Sequence, residues 1–140
     1  MILKAAEHDV CIPGMEIDRH TEPLTAAEIR EKWQDKVANI KEFIATKTYK
    51  HHYGFPTCTI PIVTINLRHM RNIMELFHRN MGPAKELIFK TTPDWAKARS
   101  FPKPNGEMLT SPWYRLSDLA FDDKKQVVAL KDPSFCLRES

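Results

Sequence analysis

Glu16 and Asp18 stand two residues apart in the run Gly14-Met15-Glu16-Ile17-Asp18-Arg19-His20-Thr21-Glu22, and their type and spacing suit chemistry more directly than any other pair in the chain. Successive side chains on a strand alternate faces, so a strand through this run turns Glu16 and Asp18 one way and Met15 and Ile17 the other. Met15 and Ile17 would then bury the strand against a helix. The two carboxylates would stand at its end as the oxygen ligands that Mg²⁺ takes. The alternative is a solvated strand end on which Arg19 pairs with one of the carboxylates.

Other constellations are weaker. His51-His52-Tyr53 with Cys58 can be drawn as a zinc cluster, but adjacent histidines rarely share one ion, and a polar helix end accounts for them. Lys47, Lys50, Arg68, His69, Arg71 and Arg79 flank the ends of two helical stretches, with Tyr49 and Tyr53 among them. Such interleaving of cations and rings can grip phosphates and stack on bases; it also serves surface solubility. Four glycines in the chain, none in a phosphate-cradling loop, give nucleotide-cradle folds little support. Trp95, Phe101 and Trp113 lie in a Pro-rich stretch and are expected to pack onto a sheet, a recognition surface being the other reading.

The elements that must position these residues alternate along the chain. Residues 10–18 read as a strand. Thr25-Ala26-Ala27-Glu28 has the form of a capping box, and behind it Ile29, Trp33, Val37, Ile40 and Ile44 recur at helical spacing, giving a helix of about 22 residues with one apolar stripe. Tyr53-Gly54-Phe55-Pro56 breaks it. Thr59 to Ile65 is a β-branched, almost wholly apolar run, as expected of an interior strand, although Pro61 argues against a central position. Met70, Ile73, Met74, Phe77 and Met81 make a second amphipathic helix that Gly82-Pro83 ends, and the methionines are expected in the core. Glu86 to Thr91 is a third strand by composition.

Strand, helix, strand, helix, strand predicts an α/β domain, a small mixed sheet with helices packed on it and neighbouring parallel strands joined by right-handed crossovers. At 140 residues the chain suits a single domain, with a core over about residues 10–91, a Pro-rich loop and edge strand (Val127 to Leu130) over 92–131, and a tail over 132–140. The formal net charge of +3 excludes both a strongly basic nucleic-acid tail and an acidic mimic, while leaving room for a local basic face. Cys11, Cys58 and Cys136 are odd in number and widely spaced, which points to a reducing, cytoplasmic setting rather than a disulfide framework. No apolar run suits a signal peptide or a membrane span, so no membrane partner is expected.

Met15 to Leu24, Ile29-Arg30-Glu31-Lys32, Tyr53-Gly54-Phe55-Pro56, Ile62 to Asn66 and Arg71-Asn72 together resemble the C-terminal part of the replication-relaxation proteins of bacterial plasmids and phages. That family is similar to the PD-(D/E)xK nucleases. The resemblance spans about residues 14–90, and its most specific piece is the E-x-D-R-x-T-E run followed by a helix bearing a lysine. It implies a PD-(D/E)xK nuclease-like core, a DNA partner, and a Mg²⁺ site formed by Glu16, Asp18 and Asp9. Asp18 stands where such a nuclease carries its lysine, so Lys32 or Lys36 would supply the catalytic ammonium. Only 15 residues precede Glu16, which leaves Asp9 as the upstream acid in a shortened hairpin, or leaves the first ligand absent.

Helix geometry bears on those lysines independently. At about 100° per residue, Lys36 falls within about 60° of the centre of the apolar stripe and Lys32 within about 100°. An ammonium so close to a buried face either pairs with Glu16 and Asp18 or lays its stem over the core edge and reaches water. The expected DNA contacts are Arg19, Lys47, Lys50, Arg68, Arg71 and Arg79. The function expected is therefore that of a DNA-associated mobile-element protein. An active Mg²⁺-dependent endonuclease, or a catalytically dead scaffold that binds a host or replication protein, are the alternatives.

Overall fold

The computed structural model describes residues 2–5, 8–11, 16–17, 26–54, 57–64, 66–91 and 112–139. In chain order the elements are β1 (Ile2–Ala5), β2 (His8–Cys11), β3 (Glu16–Ile17), α1 (Ala26–Ala45), α2 (Thr48–Tyr53), β4 (Ile60–Thr64), α3 (Leu67–Met81), β5 (Leu87–Thr91), β6 (Tyr114–Arg115), β7 (Leu119–Phe121), β8 (Val127–Leu130) and β9 (Leu137–Glu139). A short 3₁₀ turn, Leu116–Asp118, joins β6 to β7.

The protein is a mixed α/β fold. Its principal sheet has the order β3-β4-β5-β6, parallel except for the antiparallel β6. The apolar stripes explain why the two long helices lie where they do. Trp33 and Val37 of α1 and Met70, Ile73, Met74 and Phe77 of α3 enter one core cluster with Ile60, Ile62, Leu87 and Phe89 of the sheet. Successive right-handed crossovers between strands that advance in one direction put both helices on the same face, which is what this cluster requires. An aromatic chain runs through it. Trp33 meets Phe77 edge-on with centroids 6.2 Å apart, and Phe77 meets Phe89 at 5.9 Å. The opposite face carries Val63 and Ile88, both fully buried.

Pro61 does lie in the central strand, against the expectation. It is tolerated because the β3 ladder begins at Ile62, one residue later, so among the described residues only β5 pairs alongside it. The expected strand over 10–18 is two strands in different sheets. β2 forms a hairpin with β1, while β3 pairs in parallel with β4. Residues 112–139, the described part of the C-terminal stretch, contain bridges and strands. Trp113 is fully buried and bridges Phe135, β7 and β8 form a separate hairpin, and β9 pairs with β1 across nearly the whole sequence. Val127 to Leu130 is thus a strand, but in that hairpin rather than on the edge of the principal sheet. Trp95 and Phe101 lie outside the described residues.

Left-handed backbone at Lys47 (φ 54°) separates α2 from α1, so the long helix ends at Ala45 after 20 residues. Thr25 immediately precedes α1 at the position of an N-cap and lies outside the described residues. Among the described helices none is long and apolar enough to cross a membrane.

Candidate functional site

The carboxyl ends of β3, β4 and β5 share one edge of the sheet because the three strands run parallel. In open α/β sheets this is the edge at which ligands bind. Thr64, the last residue of β4, is fully buried, and its hydroxyl donates to the Asn66 carbonyl at 3.2 Å. Asn66 caps α3. Its Oδ1 accepts from the His69 backbone N–H at 2.8 Å, and its Nδ2 lies 3.0 Å from His69 Nδ1. The cap fixes the orientation of the amide, so Nδ2 donates to Nδ1 and the His69 ring carries its proton on Nε2.

His69 is 2% exposed and is therefore no part of the basic surface on which the sequence places it. Arg68 is exposed and Arg71 half-buried in the first turns of the same helix, which has no acidic residue in its first turn. Cations there add to the positive end of the helix dipole instead of neutralising it. The edge is thus poised for negative charge.

The other expected contacts lie elsewhere. Lys47 and Lys50 sit beyond the C-terminus of α1, and Arg79 sits near the C-terminus of α3, so all three lie at the opposite end of the helix layer from Arg68 and Arg71. Both helices run back against the strands, and their ends are separated by the length of β4. Arg79 is also paired with Glu75 at 2.7 Å. The expected basic face is two groups at two ends. Tyr49 is 4% exposed and packs on Phe43 with centroids 5.9 Å apart, so it does not present a ring to a base. The side chain of Tyr53, like Arg19, is outside the described residues.

Of the acidic candidates, β3 holds Glu16 next to β4 as expected, with Glu16 opposite Ile62 and Ile17 opposite Val63. The side chains of Glu16 and Ile17 lie outside the described residues. Asp18 is outside the described residues, and Asp9 pairs with Lys4 in the β1–β2 hairpin, in a different sheet from Glu16.

Lys32 is exposed, while Lys36 is half-buried with its Nζ 4.6 Å from the centroid of the Trp33 ring, in keeping with its closeness to the apolar stripe. Among the described residues no three His, Cys, Asp or Glu side chains come together as a metal-binding group. Cys58 is buried in the core and His51 is exposed, so the two do not meet in a zinc site. The side chains of the three acidic candidates, Asp9, Glu16 and Asp18, lie outside the described residues.

A groove of about 670 Å³ runs over the outer side of the helix pair, lined by Glu31, Gln34, Ala38 and Lys41 of α1 and by Leu76 and Asn80 of α3.

The Asn66–His69 pair is what the sequence reasoning missed, and its signal was the N-x-x-H spacing immediately after an apolar strand, where a helix cap belongs. Comparison of the chain with known proteins finds no matching family model, no matching curated protein and no matching solved structure.

Proposed function

We propose that this chain is a DNA-associated protein that meets the phosphate backbone at the carboxyl edge of its parallel sheet, with Arg68 and Arg71 as the principal contacts and Lys32 beside them. One observation carries the reading. The first turns of α3 hold two arginines and no acid at the positive end of a helix, directly after the central strand. That concentration of positive charge is unfavourable in the isolated fold and becomes favourable against an anion. The resemblance of residues 14–90 to replication-relaxation proteins supports the same partner and a role in replicating or relaxing mobile-element DNA. A PD-(D/E)xK-like core and a Mg²⁺-dependent activity at Glu16, Asp18 and Asp9, with Lys32 or Lys36 as the ammonium, are the finer form of this reading.

The test is a titration of duplex and single-stranded DNA by fluorescence anisotropy between low and moderate salt. Affinity should fall steeply with salt, and Arg68→Ala with Arg71→Ala should weaken it and lower the salt slope by about 2, one for each phosphate that no longer meets a guanidinium. Lys47→Ala with Lys50→Ala, at the other end of the helices, should do much less. Binding that ignores salt and the two arginines would overturn the proposal and leave a protein partner as the reading. Repeating the assay on plasmid with Mn²⁺ separates binding from cleavage. Nicking abolished by Glu16→Ala would establish the nuclease form.

A further inference from the structure

The groove between α1 and α3 has no part in the carboxyl-edge reading. Ala27, Glu31, Gln34, Ala38 and Lys41 line it from α1, all exposed, at steps of four, three, four and three residues. Those are the steps by which one helix offers a seam to another lying beside it. Val37 and Leu76, only 3% and 8% exposed, also line it, so apolar surface lies at the bottom of an open channel. From Ala27 to Lys41 the seam runs about 21 Å, or four turns of helix.

The two walls differ in charge. At about 100° per residue, Asp35 and Glu42 stand about 60–80° round α1 from the seam, on the side away from Val37, and both are exposed. With Glu31 in the seam itself, they make this wall acidic; Lys32 lies farther round, about 140° from the seam. The α3 wall is neutral, since Glu75 is paired with Arg79 at 2.7 Å and Asn80 Nδ2 donates to the Leu76 carbonyl at 2.8 Å. Lys41, at the C-terminal end of the seam, is the one cation among the lining residues. Three carboxylates along one side of a channel, in a chain of formal net charge +3, turn away a polyanion and favour a cationic occupant. The occupant must also bring its own backbone hydrogen bonds, because the middle of a helix has its N–H and C=O groups paired internally and offers none to an extended strand.

We propose that the groove between α1 and α3 docks a basic amphipathic helix of a protein partner, its apolar face on Val37, Ala38 and Leu76 and its Lys or Arg side chains along Asp35 and Glu42. Ala27 and Ala38 end at Cβ, which lets the incoming backbone come to the separation of ordinary helix packing, about 8–10 Å between axes. This is the helix-in-groove mode of recognition, with the acidic wall setting which helix is taken. The groove shares no residue with Arg68 and Arg71, and the proposal does not rest on DNA binding.

The probes are two synthetic helical peptides about four turns long with the same leucine face, one carrying Lys and the other Glu on its polar face. Each is titrated into the ¹⁵N-labelled full chain, and the side-chain amide resonances of Gln34 and Asn80 report occupation of the groove. The Lys peptide should shift both saturably, and the Glu peptide should bind about tenfold more weakly or less. Ala38→Arg, a change at an exposed helical position, fills the channel and should abolish the response while circular dichroism shows the fold retained. Asp35→Lys with Glu42→Lys should reverse the preference between the two peptides. Resonances unmoved by the Lys peptide overturn the proposal, as does a response that survives Ala38→Arg. Equal affinity for the two peptides, or a preference that charge reversal leaves in place, overturns it too. Shifts of the same two amides when the chain alone is concentrated would give the groove to a second copy and refute the partner reading.

Discussion

Replacing Trp33 by alanine and by phenylalanine should give two very different costs, and the difference comes from one atom. Trp33 is 1% exposed, meets Phe77 edge-on, and lies under the Lys36 ammonium, yet its Nε1–H is buried without a partner among the described residues. Truncation to alanine forfeits about 3–5 kcal/mol of packing, with a further 0.5–1 for the cation over the ring. It also removes the unmet donor, which returns about 1–3 kcal/mol. The net is a loss of about 3 kcal/mol. Phenylalanine keeps a ring against Phe77 and beneath Lys36 while deleting the same donor, so the cost of the smaller ring and relief of the N–H nearly offset each other, leaving about 1 kcal/mol or less. Urea melts followed by circular dichroism, with a common m-value, measure both. If Trp33→Phe costs as much as Trp33→Ala, the indole N–H has an acceptor and the assignment of this core position is wrong.

Further outcomes follow at Asn66 and at Lys90. Asn66→Ala should cost about 1–2 kcal/mol in the same melts, because it removes the α3 cap and leaves His69 Nδ1 without its donor. Asn66→Asp should preserve the cap yet move the His69 proton to Nδ1, visible in the imidazole ¹⁵N shifts; an unchanged tautomer would show that the side-chain bond does not set it. For Lys90, the folded value of about 8 lies below the usual 10.5, so between those values the unfolded chain binds more protons and stability rises with pH. The rise, discounted for a half-exposed group, is about 1 kcal/mol. Lys90→Met should abolish it and be the more stable protein below pH 8. Parallel stability curves for parent and variant would refute the desolvation.

The long elements were legible because each carries many repetitions of one period. Five positions at helical spacing fix α1, five more fix α3, and β-branched runs fix β4 and β5. The short ones were not. Nothing in two residues distinguishes β3 from a continuation of β2, although Pro13-Gly14 between them is a turn signal that the alternating pattern obscured. The pairing of β9 with β1 joins residues separated by most of the chain, which no local window detects. At the site, reading by residue type grouped His69 with arginines and Tyr49 with exposed rings, while tertiary packing buried both. The expected basic face came apart for a related reason. Residues at the two ends of a helix are near in sequence but a helix length apart in space.

The winding of the sheet also bears on what kind of ligand the edge can take. A small-molecule crevice in an open α/β sheet arises where the strand order reverses and the adjoining helices fall on opposite faces. Here β3, β4 and β5 follow one another without reversal, and α1 and α3 cover one face together, so the described strands open no such crevice. Among the described residues the carboxyl edge holds an exposed Arg68, a half-buried Arg71 and a capped helix end. A small ligand on such a surface buries too little of itself to offset its loss of freedom. A polymer carrying one charge per repeat is held at each phosphate and by the counterions it releases, and needs no enclosure. Arg68→Lys keeps that charge and should leave a backbone contact nearly unaltered, whereas a site that reads a planar group through the guanidinium fork would lose affinity. Retained, salt-sensitive DNA binding in Arg68→Lys beside its loss in Arg68→Ala would therefore identify the edge as one that takes phosphates along a strand, and equal losses in both would refute that.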